Sequence, residues 1–159
     1  MKKLLLAATF FFATAVASNA QTTFSIAGNI GAVTGDFGKL AVGGDIQADL
    51  PATTGLKITL SAGYQNFGYE SNTGIKYNSS FIPVLAGTKF NLSTNLYGHA
   101  QLGYSFSTVS GGKGSFTYAP SIGYNLSPNF DISAKYLGLS NKLGNANAVL
   151  ARLAYNFGK

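Results

Sequence analysis

Apolar and polar side chains alternate with a period of two residues from Phe24 onward, in short runs that Gly, Asn, Ser, Thr and Pro separate. A period of two is that of a β-strand, whereas an amphipathic helix repeats every 3.6 residues. The sequence therefore predicts an all-β chain of about eight strands. The predicted strands cover residues 22–33, 39–50, 56–67, 79–90, 96–106, 115–126, 130–138 and 147–157.

One face of each predicted strand is apolar and the other is small or polar. In the last strand, Leu153 and Tyr155 lie on the apolar face and Arg152 lies on the polar face. Two folds fit this pattern: a soluble barrel or sandwich with the apolar face inward, or a membrane barrel with the apolar face outward. Only 10% of the residues are charged, which is few for a polar face in contact with water. The composition favours the membrane barrel, and a soluble barrel of the lipocalin type is the alternative.

The aromatic residues of the apolar face fall into two bands with aliphatic residues between them, which is typical of the two girdles of an outer-membrane barrel. One band contains Phe24, Phe90, Tyr124, Phe130, Tyr155 and Phe157, and the other contains Tyr64, Tyr104, Phe106, Phe116, Tyr118 and Tyr136.

The lengths of the connections between strands also indicate a membrane barrel. The segments PATTG, NLSTN and SPN are short, whereas GYESNTGIKYN, STVSGGKG and LSNKLGNA are longer, and only the short TGDFG departs from this alternation. Outer-membrane barrels have short periplasmic turns and longer external loops. The sequence thus predicts that the first band of aromatic residues lies at the periplasmic end.

The N-terminal segment has the three parts of a secretory signal peptide: Lys2 and Lys3, an apolar run over residues 4–16, and small residues that end at Ala20. The apolar run is shorter than the ~20 residues of a spanning helix. We expect a signal peptide over residues 1–20, with cleavage after Ala17 as the alternative, and one barrel domain over residues 21–159.

The charge and the absence of cysteine restrict the partners. Loss of Lys2 and Lys3 lowers the formal net charge from +6 by two, to +4, which is too small an excess to indicate nucleic-acid binding. Lys76, Lys113 and Lys142 fall in predicted connections, where we expect either the anionic head groups of outer-membrane lipids and lipopolysaccharide or solvent as neighbours. Without cysteine the chain has neither disulfides nor a lipoprotein acylation site.

The segment FIPVLAGTKFNLSTNLYGHAQLGYSF, residues 81–106, resembles the small outer-membrane β-barrel family that is common in Bacteroidetes. The resemblance lies in an Ile-Pro-Val strand with a Gly-containing end, a short turn and a Gly-Tyr-Ser-Phe strand. It implies an eight-stranded antiparallel up-and-down transmembrane barrel in the bacterial outer membrane. It implies no enzymatic activity and no cofactor.

His99 is the single histidine, and it faces the predicted polar interior. Its neighbours Ala100 and Gln101 provide no nucleophile, so we expect a hydrogen-bonding role for His99 and no catalytic site. One histidine without any cysteine does not make the usual metal-ligand sets, so we expect no metal site.

One group of charged residues is predicted on the interior face, and we expect it to form a charge network in the lumen. Its members are Asp45, Asp49, Lys57, Asp131, Lys135 and Arg152. Counting residues across PATTG predicts a cross-strand ion pair between Asp49 and Lys57. Asp45 and Arg152 lie a similar number of residues from the periplasmic end, so we expect these two side chains to meet inside the barrel. Three acids and three bases suit a self-neutralising plug, because buried charges persist when paired. The alternative is a gate in a narrow ion path.

Pro83 and Pro120 lack the N–H that a ladder needs, so each predicts a bulge or a strand end.

The alternating aromatics Tyr155 and Phe157 at the C-terminus match an assembly signal for the barrel assembly machinery, displaced by Gly158 and Lys159.

The function that we expect from the sequence is that of a monomeric, non-enzymatic integral outer-membrane protein with a structural or surface-interaction role. We expect side chains to fill the lumen of this barrel. The sequence does not specify a partner for the loops. The alternatives are a narrow channel for small solutes and an exported soluble ligand-binding barrel.

Overall fold

The computed structural model describes residues 22–35, 38–71, 73–108, 112, 114–141 and 144–157. Eight strands form a closed barrel in which each strand pairs antiparallel with its sequence neighbours and the first pairs with the last. They are β1 (Thr23–Thr34), β2 (Gly38–Thr53), β3 (Leu56–Glu70), β4 (Lys76–Asn91), β5 (Leu96–Ser107), β6 (Ser115–Asn125), β7 (Phe130–Asn141) and β8 (Gly144–Phe157). The predicted eight-stranded antiparallel barrel is confirmed.

The predicted signal peptide over residues 1–20 lies outside the described residues, as do Lys113 and Lys142. Within the described ranges, the chain contains no helix of the length and apolarity needed to cross a membrane.

The alternation of the sequence places the apolar face on the outside of the barrel. Leu102 and Ile30 are 58% and 56% exposed, whereas Arg152 is 4% exposed on the inside. Ala154 and Asn156 are buried on the inside of β8, and Leu153 and Phe157 are exposed on its outside. The soluble alternative required the apolar face to be inside and is therefore wrong.

The two ends of the barrel differ in the connections that they carry. The terminus end has Thr23, Phe157 and the connections 54–55, 92–95 and 126–129; the loop end has the connections 35–37, 71–75, 108–114 and 142–143. The connection between β3 and β4, residues 71–75, is shorter than expected because both strands continue further, but it is still longer than 92–95 or 126–129. The expected longer connection between β7 and β8 is wrong, because these strands continue to Asn141 and from Gly144. Glu70 pairs with Lys76 in the ladder, and the stacked rings of Tyr69 and Tyr77 lie 5.2 Å apart. Lys76 therefore lies in β4 and not in a loop.

The aromatic residues contact one another within each predicted band on the outer surface. At the terminus end, Tyr155 lies 5.0 Å from Phe130 and 4.8 Å from Phe157 between ring centroids. At the loop end, the rings of Tyr118 and Tyr136 lie 5.9 Å apart. The aliphatic residues of the apolar face separate these two bands.

Pro83 and Pro120 produce neither a bulge nor a strand end, so this expectation is wrong. Both lie inside strands, and the ladder keeps one register on both sides of each proline. Each proline instead leaves a gap in the pairing with one neighbour, β3 for Pro83 and β7 for Pro120. The other neighbour, β5, pairs with both prolines. A missing N–H thus interrupts only the side toward which it would have pointed.

Three aromatic rings lie over glycines that are directly opposite them on the next strand. The pairs are Phe90 with Gly98, Tyr97 with Gly123, and Tyr118 with Gly138. A Cβ added at any of these glycines would collide with the ring. The glycines therefore provide the space that the rings occupy across β4, β5, β6 and β7.

Candidate functional site: the interior of the barrel

Asp45 on β2 makes polar contacts with side chains of three other strands in the interior. Arg152 on β8 donates to Asp45 Oδ1 from Nη2 at 2.8 Å and from Nε at 3.1 Å. Asn29 on β1 donates to Asp45 Oδ2 at 2.9 Å, and Lys135 Nζ on β7 lies 3.7 Å from the same oxygen. The expected contact between Asp45 and Arg152 is present, and the carboxylate joins four adjacent strands.

Asp131 on β7 continues the polar contacts toward the terminus end. Arg152 Nη1 lies 3.7 Å from Asp131 Oδ1, and the Tyr97 hydroxyl donates to the same oxygen. Asn156 on β8 donates to Asp131 Oδ2 at 2.9 Å. Asp131 is 1% exposed, so its carboxylate depends on these three partners for compensation.

Asp49 forms an ion pair with Lys89, and the predicted position of Lys57 directly opposite Asp49 is wrong. Lys89 Nζ lies 3.5 Å from Asp49 Oδ2 and 3.9 Å from the centroid of the Tyr97 ring. Asp49 is directly opposite Thr59, and Lys57 is opposite Pro51. The cause is the turn: β2 continues to Thr53, so that residues 54–55 alone connect the strands and the register moves by two residues.

The resulting charge network contains six charged side chains of alternating sign. In order of contact they are Asp49, Lys89, Asp131, Arg152, Asp45 and Lys135, with Tyr97 between Lys89 and Asp131. Neither Lys89 nor Tyr97 was among the predicted members of this network. The available signal for Tyr97 was its position two residues before His99, on the same face of β5.

His99 makes a hydrogen bond inside the barrel: its Nε2 lies 2.9 Å from Thr59 Oγ1. Both residues are buried, and neighbouring Gln101 donates to Ser61 at 2.8 Å. In the described part of the chain, no group of three or more His, Cys, Asp and Glu residues could hold a metal ion. The geometry at His99 is that of a cross-barrel hydrogen bond between β3 and β5.

An apolar cluster occupies the interior on the loop-end side of the charge network, where the sequence predicted small or polar residues. Its buried members are Val33, Ala41, Phe67, Leu85, Ala119, Leu137, Leu139, Ala148 and Leu150. The Phe67 ring contacts that of Phe81 edge to face, with centroids 5.7 Å apart. Sequence reasoning missed this cluster, although Leu137 and Leu139 share the inward face with Lys135.

Comparison with solved structures identifies small membrane barrels with the same fold. Ail of Yersinia pestis has a TM-score of 0.63 at 20% identity, covering 88% of this chain and 100% of that chain. The N-terminal β-barrel domain of Pseudomonas aeruginosa OprF has a TM-score of 0.58 at 14% identity, covering 87% and 100% of the two chains. A de novo designed transmembrane β-barrel has a TM-score of 0.57 at 18% identity, covering 87% and 98%.

Sequence comparison supplies the family. No curated protein matches the chain. The family model described as "outer membrane protein beta-barrel domain" matches residues 4–157, a range that begins within the predicted signal peptide. Together with the closed barrel and its outward apolar face, this match shows that the chain belongs to the outer membrane protein β-barrel domain family and is located in the bacterial outer membrane.

Proposed function

We propose that this chain is a non-enzymatic outer-membrane barrel that does not conduct solutes, because its own side chains fill the lumen. Its role is then structural or lies in contacts made by its outer surface and loops. The observation that supports this proposal is that the charge network and the apolar cluster follow one another along the barrel axis. The interior of an eight-stranded barrel is just wide enough to be filled by side chains.

The two interior layers oppose the passage of solutes in different ways. Moving Arg152 away from Asp45 and Asp131 would leave buried charges uncompensated, at a cost of about 3–5 kcal/mol. The apolar cluster offers no polar partner that could replace the hydration shell of an ion. A solute that passed one layer would therefore meet a second barrier of opposite chemistry.

Conductance across a planar bilayer tests the closed lumen. We expect the native barrel to be silent, and we expect a triple variant, Phe67→Ala, Leu137→Ala and Arg152→Ala, to pass ions. Leu153→Ala is the control, because Leu153 is exposed on the outside of the same strand as Arg152 and its loss leaves the interior intact. Conductance steps from the native barrel that change in Arg152→Ala would instead support the narrow channel.

The absence of catalysis is part of the proposal. The imidazole of His99 contacts the hydroxyl of Thr59, and Thr59 is 0% exposed. A substrate would have to enter the filled lumen to reach them. We expect no hydrolysis of phospholipid or ester substrates by the folded barrel, and activity that disappears in His99→Ala would contradict this part of the proposal.

The surface role receives support from one relative and from two lysines. Ail is described as an attachment invasion locus protein and was solved in complex with the heparin analogue sucrose octasulfate. In this chain, Lys39 lies 3.8 Å from Glu70 at the loop end, and Lys76 pairs with Glu70 in the ladder. Two cations beside one acid suit the phosphates of lipopolysaccharide, which we propose as a surface partner of the monomeric barrel.

Binding of lipopolysaccharide can be measured as a rise in the unfolding temperature of the barrel in detergent, since a ligand of the folded state stabilises it. We expect lipopolysaccharide to raise this temperature more than a zwitterionic phospholipid does. The difference should fall in the double variant Lys39→Gln and Lys76→Gln. Equal shifts from both lipids in the native protein would argue against this partner.

A further inference from the structure

A small cavity of about 20 Å³ lies inside the barrel at the boundary between the charge network and the apolar cluster. Its polar lining includes residues from β1, β2, β3 and β7, and its apolar lining includes members of the apolar cluster. These residues are Asn29, Asp45, Gln65, Lys135, Leu137 and Leu150. The cavity therefore has hydrogen-bonding groups on one side and hydrocarbon on the other.

Gly43 explains why space remains at this position. On β2, Gly43 is directly opposite Asn29 on β1 and Gln65 on β3, so that the three residues form one row across the barrel wall. A Cβ at Gly43 would collide with the Gln65 side chain and with the Tyr64 carbonyl oxygen. The two amide side chains thus extend inward from either side of a position that has no side chain of its own.

The row contains two buried polar atoms that have no hydrogen-bond partner in the protein: Asn29 Oδ1 and Gln65 Nε2. Asn29 is 7% exposed and Gln65 is 3% exposed. The amide of Asn29 is oriented by its Nδ2, which donates to Asp45 Oδ2, so its Oδ1 must face elsewhere. An unpaired buried polar group is costly, and native proteins contain few of them.

We propose that this cavity is a binding site for one water molecule that accepts a hydrogen bond from Gln65 Nε2 and donates one to Asn29 Oδ1. One acceptor and one donor must be satisfied together, and water does both. A cation would be repelled by Lys135 and by the Gln65 N–H groups, and an anion by Asp45 and Asn29 Oδ1. The volume fits one water and excludes larger ligands.

The site is closed along the barrel axis. Leu137 and Leu150 of the apolar cluster separate it from the loop end, and the Asp45–Arg152 pair lies beside it in the charge network. In the wall, the lining includes Gly63, Tyr64 and Pro83, which are the residues at the ladder gap between β3 and β4. The bound water belongs to the interior packing and is not part of a continuous aqueous path.

A crystal structure of the native barrel at a resolution that shows ordered water tests the site. We expect a single density peak at hydrogen-bond distance, about 2.7–3.2 Å, from both Asn29 Oδ1 and Gln65 Nε2. The peak should be lost in Asn29→Leu. Gln47 provides the control within the same crystals: its Oε1 is unpaired but it does not line the cavity, so we expect no such peak beside it.

Three results would overturn the proposal. An empty cavity in the native crystal would show that the two amides stay unpaired, and an anomalous peak after a bromide or rubidium soak would show that the ligand is an ion. A file of ordered waters from the cavity to either mouth would contradict the closed site. If Asn29→Leu does not fold, water-to-protein NOE cross-peaks in nanodiscs provide the second measurement. We expect them at the Gln65 side-chain amide and not at that of Gln47, which donates to Asp49 and does not line the cavity.

Discussion

At the scale of single residues, Asp45 is the position on which the interior depends most. Its carboxylate receives hydrogen bonds from β8 and β1 and lies beside the ammonium group of Lys135 on β7, while Asp45 itself is on β2. The first and last strands pair at this height, since Asn29 is directly opposite Arg152. One side chain therefore links both sides of the seam at which the barrel closes.

Replacing Arg152 by methionine should destabilise the folded barrel by about 3–5 kcal/mol, because it leaves two buried carboxylates without their shared partner. The measurement is the free energy of unfolding in urea, with the barrel in detergent or lipid vesicles. The control is Lys39→Met. Lys39 contacts Glu70 at 3.8 Å with 59% of its side chain exposed, and its loss should cost at most about 1 kcal/mol. Equal losses of unfolding free energy in the two variants would show that burial of the ion pair does not determine the cost of breaking it.

At the scale of strands, the two-residue period predicted the faces correctly because a charge on the lipid side is costly. Arg152 placed on the outside at mid-membrane depth would cost about 2–4 kcal/mol. The strand ends were less predictable: beyond the apolar band nothing enforces alternation, and β3 and β4 continue there through Glu70 and Lys76. The register of β2 with β3 depends on a turn that the pattern does not specify, so Lys57 lies opposite Pro51 and not opposite Asp49.

Pro120→Val should stabilise the barrel by about 0.5–1.5 kcal/mol, because the new N–H can complete the ladder with β7. Hydrogen exchange should show a protected amide at position 120, and urea unfolding should show the gain. Pro128→Ala is the matched control, since Pro128 lies in the connection 126–129, outside the ladder. An unprotected amide at 120 would show that the gap has another cause.

The last strand carries the predicted assembly signal. Tyr155 and Phe157 lie on the outside at the terminus end, where their rings contact each other. We expect Phe157→Ala to lower the yield of protein in the outer membrane more than deletion of Gly158 and Lys159 does. Heat-dependent gel migration of the membrane fraction measures this yield. Equal effects of the two changes would place the signal elsewhere.

At the scale of the whole molecule, the interior was the part that the sequence predicted least well. The polar half followed from the alternation, and the pair of Asp45 and Arg152 followed from equal heights in the barrel. The apolar cluster did not follow, because Phe67 on β3 and Leu137 on β7 are four strand pairings apart in either direction and come together only in the closed barrel. Which inward side chains meet is a property of the closed barrel and not of any one strand.

The closed barrel should resist dodecyl sulfate at room temperature, because pairing of every strand with two neighbours leaves no open edge. We expect the protein to fractionate with the outer membrane. An unboiled sample of that fraction should migrate faster on a gel than a boiled sample. A sample unfolded in urea before loading should match the boiled one. Identical migration of all three samples would contradict a stable closed barrel.

The three ring–glycine pairs have a consequence for the dimensions of the barrel. Alternation of faces opposes a slip between strands by one residue but permits a slip by two. After such a slip, Tyr118 would face Tyr136 or Ser140 on β7 in place of Gly138, and its ring would lose the space that it occupies. The glycines thus select one even-numbered register among several. In a closed barrel the sum of these registers is the shear, which determines the tilt of the strands and the radius.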